Sequence, residues 1–181
     1  DCDLNTDDTV IDSIDVSLAS STGDEMIVTL VESGEATASF FAGGITIGTD
    51  IMADHGDTLT LSYVDEDDGQ GGSNIVVMDS GILDCEFPVI TSVEVTGVMT
   101  HDATVRVQTT ENTTARIYFG ESCSTLDQEA SGSSSQTLHD VSLTGLSDNT
   151  TYRFEVHAMD AANNTVIDDN NGMCYVFTIV R

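Results

Sequence analysis

From His139 to Asn163 the chain runs through an alternating apolar stretch, a glycine-containing corner and a second alternation, an order that few folds accommodate. Leu143 and Leu146 frame the corner around Gly145, Tyr152 stands just past it, and Tyr152, Phe154 and Val156 then alternate with polar residues as a half-buried strand does. Helical periodicity is nearly absent from the rest of the chain, whereas alternation returns about every dozen residues, so the expected fold class is all-β. The 181 residues suffice for one large or two small domains. Pro88, the only proline, follows Cys85-Glu-Phe87 and precedes a fresh alternation at Ile90, Val93, Val95 and Val98. A proline there favours an extended, stiff connection. The expected organisation is two β-sandwich domains in tandem, residues 1–87 and 88–181.

In the first half the expected strands are Ile14 to Leu18, Ile27 to Val31, Ala38 to Phe41, Ile45 to Ile47, Leu59 to Tyr63, and Ile75 to Met78 with Ile82 and Leu83. Turn signals at Ser21-Thr-Gly-Asp24, Gly43-Gly44, His55-Gly-Asp57 and Gly69–Gly72 separate them. The second half supplies Val105 and Val107, Ile117 and Phe119, the serine-rich 131–135 loop, the two strands around the corner, and Tyr175, Phe177 and Ile179. This seven-strand pattern with its tyrosine corner resembles the fibronectin type III and immunoglobulin-like sandwiches. The Leu143-Thr-Gly-Leu146, Asn149-Thr-Thr-Tyr152 and Asp160-Ala-Ala-Asn-Asn164 pieces most resemble fibronectin-like modules appended to secreted bacterial hydrolases and large surface proteins. Val107 stands where many members carry a core tryptophan in the second strand. Residues 1–86, through Asp3-Leu-Asn5, Thr22-Gly-Asp-Glu25, Val28-Thr-Leu30 and the run from Gly56 to Gly71, resemble a partner domain that precedes such modules. Together these resemblances imply a repeat architecture and not a reaction.

Charge narrows the partners. The chain has no lysine, and its only basic residues, Arg106, Arg116, Arg153 and Arg181, oppose thirty-two acids for a net charge of −28. Residues 1–88 hold twenty of the acids and none of the arginines. Phosphate contacts need basic side chains, so nucleic acid is not an expected partner, and an anionic membrane surface is excluded on the same ground. Packing so many carboxylates costs self-repulsion, which bound divalent cations or high ionic strength relieve. No apolar run approaches the roughly 20 residues of a membrane helix, and no stretch reads as a signal peptide.

The four cysteines, in a lysine-free chain rich in Thr, Ser, Asp and Gly, suggest an exported, extracellular or cell-surface protein with two disulfides. Spacing favours Cys2 with Cys85 and Cys123 with Cys174, although four cysteines permit three pairings. In a fibronectin-like sandwich a Cys123–Cys174 bridge requires a displaced strand or a long loop folding over.

Calcium is the expected cofactor at three places. Asp1, Asp3, Asn5 and Asp7 alternate oxygen ligands, with Asp12 at the twelfth position, but Thr6 replaces the glycine of an EF-hand loop and a strand follows. Asp65, Asp67 and Asp68 precede a glycine-rich turn at a strand end. Asp160 and Asn163, with the Asp168-Asp-Asn-Asn171 run, lie between the last two strands. Each set equally suits solvated turns. Catalysis finds little support: His55, His101, His139 and His157 are scattered, no Gly-x-Ser-x-Gly elbow occurs, and the cysteines look structural. Asn112, Asn149 and Asn163 begin sequons, which arise readily in Asn/Thr-rich chains.

In proteins of the kind the first half resembles, Asp-x-Asp-Leu-Asn follows a strand, and Phe177-Thr-Ile-Val-Arg181 read into Asp1 would make one. Either the chain is a unit of a covalent tandem repeat, or subunits complete one another head to tail by strand addition, which does not close and so builds a fibre. A frayed chain boundary is the plain alternative. The expected function is a non-catalytic extracellular structural protein that associates with itself or with neighbouring repeats. The alternative is an adhesive or carbohydrate-contacting accessory module of a secreted hydrolase, which an exposed aromatic patch would favour.

Overall fold

The computed structural model describes the chain except for residues 1–3, 5, 6, 8, 67–70 and 133. The described residues are all-β, and no helix among them is long and apolar enough to cross a membrane. The chain divides into two compact units, Asp1–Cys85 and Glu86–Arg181.

The first unit is one antiparallel sheet of β1 (Ser13–Ser20), β2 (Glu25–Glu32), β3 (Phe40–Phe41), β4 (Thr58–Asp65) and β5 (Ile75–Ile82), in the order β3-β2-β1-β4-β5. Gly23, at φ +98°, makes the tight β1–β2 turn, where a side chain would be strained. Val16, Leu18 and Val28 point to one face, and Ile51 from the 42–57 connection seals them as a small core. Ile45 and Ile47 also pack there from that connection, which contributes only an isolated bridge between Ile47 and Ile51. The strand expected at Ile45–Ile47 is therefore a covering loop, because Gly43, Gly44 and Gly48 interrupt any ladder. Glu32 is buried at the end of β2, and its carboxylate accepts hydrogen bonds from the Thr37 and Ala38 amides at 2.7 Å and from the Asp12 amide at 3.2 Å. It thereby holds the turn in which Ala36 and Ala38 take left-handed φ values.

The second unit comprises β6 (Ile90–Val98), β7 (Ala103–Gly120), β8 (Gln128–Ser131), β9 (Gln136–Leu143), β10 (Thr151–Met159), β11 (Thr165–Asp168) and β12 (Tyr175–Thr178). The long β7 changes partners midway. Residues 103–108 lie between β6 and β9, Thr113 still pairs with Gln136 of β9 after a register break from Gln108, and residues 116–119 lie between β8 and β10. Val105 and Val107 from one half, Ile117 and Phe119 from the other, and Val141, Phe154, Val156 and Ile179 join a single core, so the two halves of the sheet fold over one another as in a sandwich. Phe154 stacks on Tyr175 at 5.2 Å between ring centroids, and Tyr152 stacks on Phe177 at 5.6 Å. At the corner the Ser147 amide donates to the Tyr152 hydroxyl at 3.0 Å, which satisfies a buried phenol within the turn it follows.

The last strand differs from expectation. It begins at Thr165, pairs with the far end of β10, leaves the ladder at 169–174 and resumes as β12 against the near end. That excursion is the displaced strand the Cys123–Cys174 bridge requires. It places Cys174 with φ +53° close enough to bond Cys123, with Cα atoms 5.9 Å apart. A formed disulfide is consistent with an oxidising compartment. Cys85 is exposed and bonds no other described cysteine, and Cys2 lies outside the described residues.

His139 lies fully buried on β9, with its Nε2 3.1 Å from the Thr113 hydroxyl at the point where β7 changes sheets. Burial pushes its pKa below the ordinary value, against the smaller upward pull of a hydrogen bond to the Gln136 backbone. A depressed histidine binds its proton more readily in the unfolded chain, so its contribution to stability is complete above about pH 6.5 and is lost as pH falls. Thermal melting of the protein across pH 7.5 to 5 is expected to show this loss before the carboxylates begin to titrate. In His139→Gln, which keeps a partner for Thr113, the slope in that window shrinks.

Candidate functional site

The expected metal ligands are dispersed, and those described are largely occupied by local turns. Asp1, Asp3, Asn5, Asp67 and Asp68 lie outside the described residues. Asp7 Oδ1 accepts from the Thr9 amide and hydroxyl at 2.9 and 2.7 Å, and these bonds hold its pKa below the usual carboxylate range. Asp65 is buried at the end of β4 on the core face of the sheet. Asp160 is buried, and its Oδ1 accepts from the Ala162 and Asn164 amides at 2.8 and 2.9 Å while Oδ2 accepts from the Asn164 side chain. Asn163, at φ +71°, is the left-handed residue of that turn. The 168–174 loop is braced likewise: Tyr175 donates to Asp168 at 2.8 Å, and the Gly172 amide donates to Asp169. Burial and Asp168 together push the Tyr175 hydroxyl up to about 12.

The histidines serve as ties. His55 Nδ1 is 3.2 Å from Asp84, His101 is 3.4 Å from Asp148, and His157 is 2.8 Å from Glu155 with its ring against Tyr118. They sit on separate elements and do not converge on a described nucleophile.

The feature that stands out chemically is the β4–β5 side of the first unit. Its ladder runs unbroken from Thr58 opposite Ile82 to Asp65 opposite Ile75, yet every residue of β5 is exposed. Register places Ile75, Val77, Asp79 and Gly81 on the face shared with Leu59 and Leu61, and Val76, Met78 and Ile82 on the other. Met78 is 64% exposed and Ile82 76%. On the shared face Leu18, Leu59 and Leu61 floor a shallow groove walled by Asp79, Ser80 and Gly81, which the 42–57 connection leaves open. The opposite face changes character across the sheet. Over β1 and β2 it is mixed, with Ser17 donating to Glu25 and Thr29 donating to Asp15 at 2.6 Å each beside exposed Ile27 and Val31, whereas over β5 Val76, Met78 and Ile82 make it largely apolar. A strand with apolar groups on both faces belongs in the middle of a covered sheet. Here it is the last described strand of its sheet. Sequence reasoning placed a strand at Ile75–Met78 without recognising this. The available signal was the unbroken Ile-Val-Val-Met run, where a one-sided strand would have alternated.

A second surface lies on the outward side of the second unit, where Thr114, Arg116, Tyr118, His157, Met159 and Thr165 line a shallow depression. Arg116 is paired with Glu129 at 3.0 Å beside it. Compared with known proteins, the chain matches no family model and no curated sequence.

Proposed function

We propose that this protein is a non-catalytic structural module of an extracellular or cell-surface array, two β-domains in tandem, whose first unit, a single sheet, is completed by a strand from a neighbouring subunit or repeat. The observation that carries this reading is β5, a fully exposed, largely apolar strand that is the last described strand of its sheet. Strand addition satisfies the backbone groups of such an edge and covers its side chains in one step. The second unit acts as a fibronectin type III-like spacer. Support comes from its strand order, with β6-β7-β9 folded over β8-β7-β10 and the split β11 and β12, and from the Tyr152 hydroxyl bonded to Ser147. Phe177 and Ile179, which the sequence would lend to a neighbour, are buried in their own unit, so the completing strand is a different one.

The test is immunogold labelling of intact cells of the producing organism. Regularly spaced surface labelling is the expected result; labelling only after lysis rejects the proposal. Cation stabilisation belongs to the same reading. In moderate salt, calcium is expected to raise the melting temperature of the first unit and a chelator to lower it, and identical melting curves would remove the metal. The half-buried Tyr118 beside His157 and Arg116 favours, as a second reading, an accessory module that contacts carbohydrate. Glycan binding that is lost in Tyr118→Ala would support it.

A further inference from the structure

Within the strand-completed reading, on which this inference rests, β5 also specifies what completes it. Natural sheet edges are blunted by lysine, proline, bulges or shortness. Other edges among the described residues are short, irregular or half-buried: β3 is two residues long, β8 four, β6 carries two register irregularities, the β11–β12 edge is interrupted at 169–174, and the eight-residue β9 buries alternate side chains in the core of its unit. Strand β5 has eight residues, an unbroken register and one charged side chain, Asp79. Asp79 points to the groove side, between Val77 and Gly81, where a cross-strand neighbour meets it directly. Around it residues 1–88 carry twenty acids and no Lys or Arg, so the field at this edge attracts cations and repels another acidic strand.

A second copy of the chain is poorly suited to this edge. Arg106 is engaged by Asp140 and Arg116 by Glu129, Arg153 lies in β10 between β7 and β12, and Arg181, 80% exposed and 3.9 Å from Asp148, lies beyond the last strand. None of the four therefore sits on a free strand that could face Asp79. We propose that β5 is a strand-addition site for an extended segment other than a second copy of this sequence, one that presents aliphatic side chains to Ile75 and Val77, and over Gly81 toward Leu59, and a lysine or arginine to Asp79.

The test uses the full chain and labelled synthetic peptides followed by fluorescence anisotropy. The probe is an extended peptide whose one face reads valine, lysine, valine and whose other face is threonine. One control carries glutamate in place of lysine, and a second is N-methylated along its central backbone, which preserves charge while removing the donors a ladder needs. The lysine probe is expected to bind about tenfold or more tighter than its N-methylated form, since several backbone hydrogen bonds are lost in the latter. Asp79→Lys, an exposed substitution, is expected to narrow the preference for the lysine probe over the glutamate control by about threefold or more. Equal binding of the N-methylated peptide overturns the proposal in favour of diffuse charge attraction. An unchanged preference in Asp79→Lys overturns it as well. So does sedimentation of the protein alone as a dimer that Val76→Lys dissociates, because a second copy then fills the edge. Surface labelling without peptide binding would sink this site alone, and peptide binding without surface labelling would sink the array instead.

Discussion

Replacing Cys123 and Cys174 together by serine is expected to lower the stability of the second unit by about 4 kcal/mol, about 20 °C in melting temperature for a domain of this size. The bridge closes a loop of 51 residues that contains β8, β9, β10 and β11. In the unfolded chain that loop is a large entropic restriction, and its removal restores freedom that the folded state never had. The native cost of the double substitution is small by comparison, since Cys174 lies in a loop already braced by Asn170 on its own carbonyl and by its amide on Asp169. Melting of the oxidised protein, the reduced protein and the double serine variant separates the contributions. Reduced and serine forms should coincide well below the oxidised form, and three coincident curves would show that the bridge constrains nothing.

Phe154→Ala is expected to cost about as much by a different route, about 4 kcal/mol. The ring has no exposed surface and sits between Tyr175 at 5.2 Å and Phe177 at 6.0 Å, with Val156 next along the same face of β10. It sits on β10, which is laddered on both sides, and its ring neighbours on β12 are laddered to that same strand, so the cavity left by truncation cannot collapse readily. Phe154→Leu keeps most of the volume and should recover at least half the loss. Denaturant unfolding monitored by tyrosine fluorescence measures both, and an alanine variant within about 1 kcal/mol of the parent would contradict this packing.

These two sites were unequally visible in the sequence. Tyr152, Phe154 and Val156 alternate as an inward strand must, and the structure buries all three, because in a sandwich one face of each strand meets the core and period two reports that face directly. The split last strand was not visible. Thr165–Asp168 is only four residues long and runs into Asp-Asp-Asn-Asn, which is turn chemistry, so its pairing with β10 depends on tertiary context. Nor was the bend in β7. The register break between Gln108 and Thr113 uses Glu111 and Asn112 with no glycine or proline, and the Thr109 hydroxyl donates to the Glu111 carbonyl to shape it. In the first unit Ile45 and Ile47 read as a strand because they are β-branched and alternate, but they serve as a lid on Val16 and Val28. Alternation records which side chains are apolar, not whether a ladder partner exists. The same limit hid the candidate site: an apolar run such as Ile75–Met78 looks identical in sequence whether its sheet continues beyond it or stops.

The completed-edge account is tested most directly by amide hydrogen exchange across residues 75–82, with the lysine-bearing strand peptide absent and then saturating. The account predicts rapid exchange of the outward-facing β5 amides in the free protein and a slowing of about tenfold or more when the peptide is bound, with little change in β1 and β2. Outward-facing amides of β5 already protected in the free protein, or unaltered by bound peptide, would contradict it.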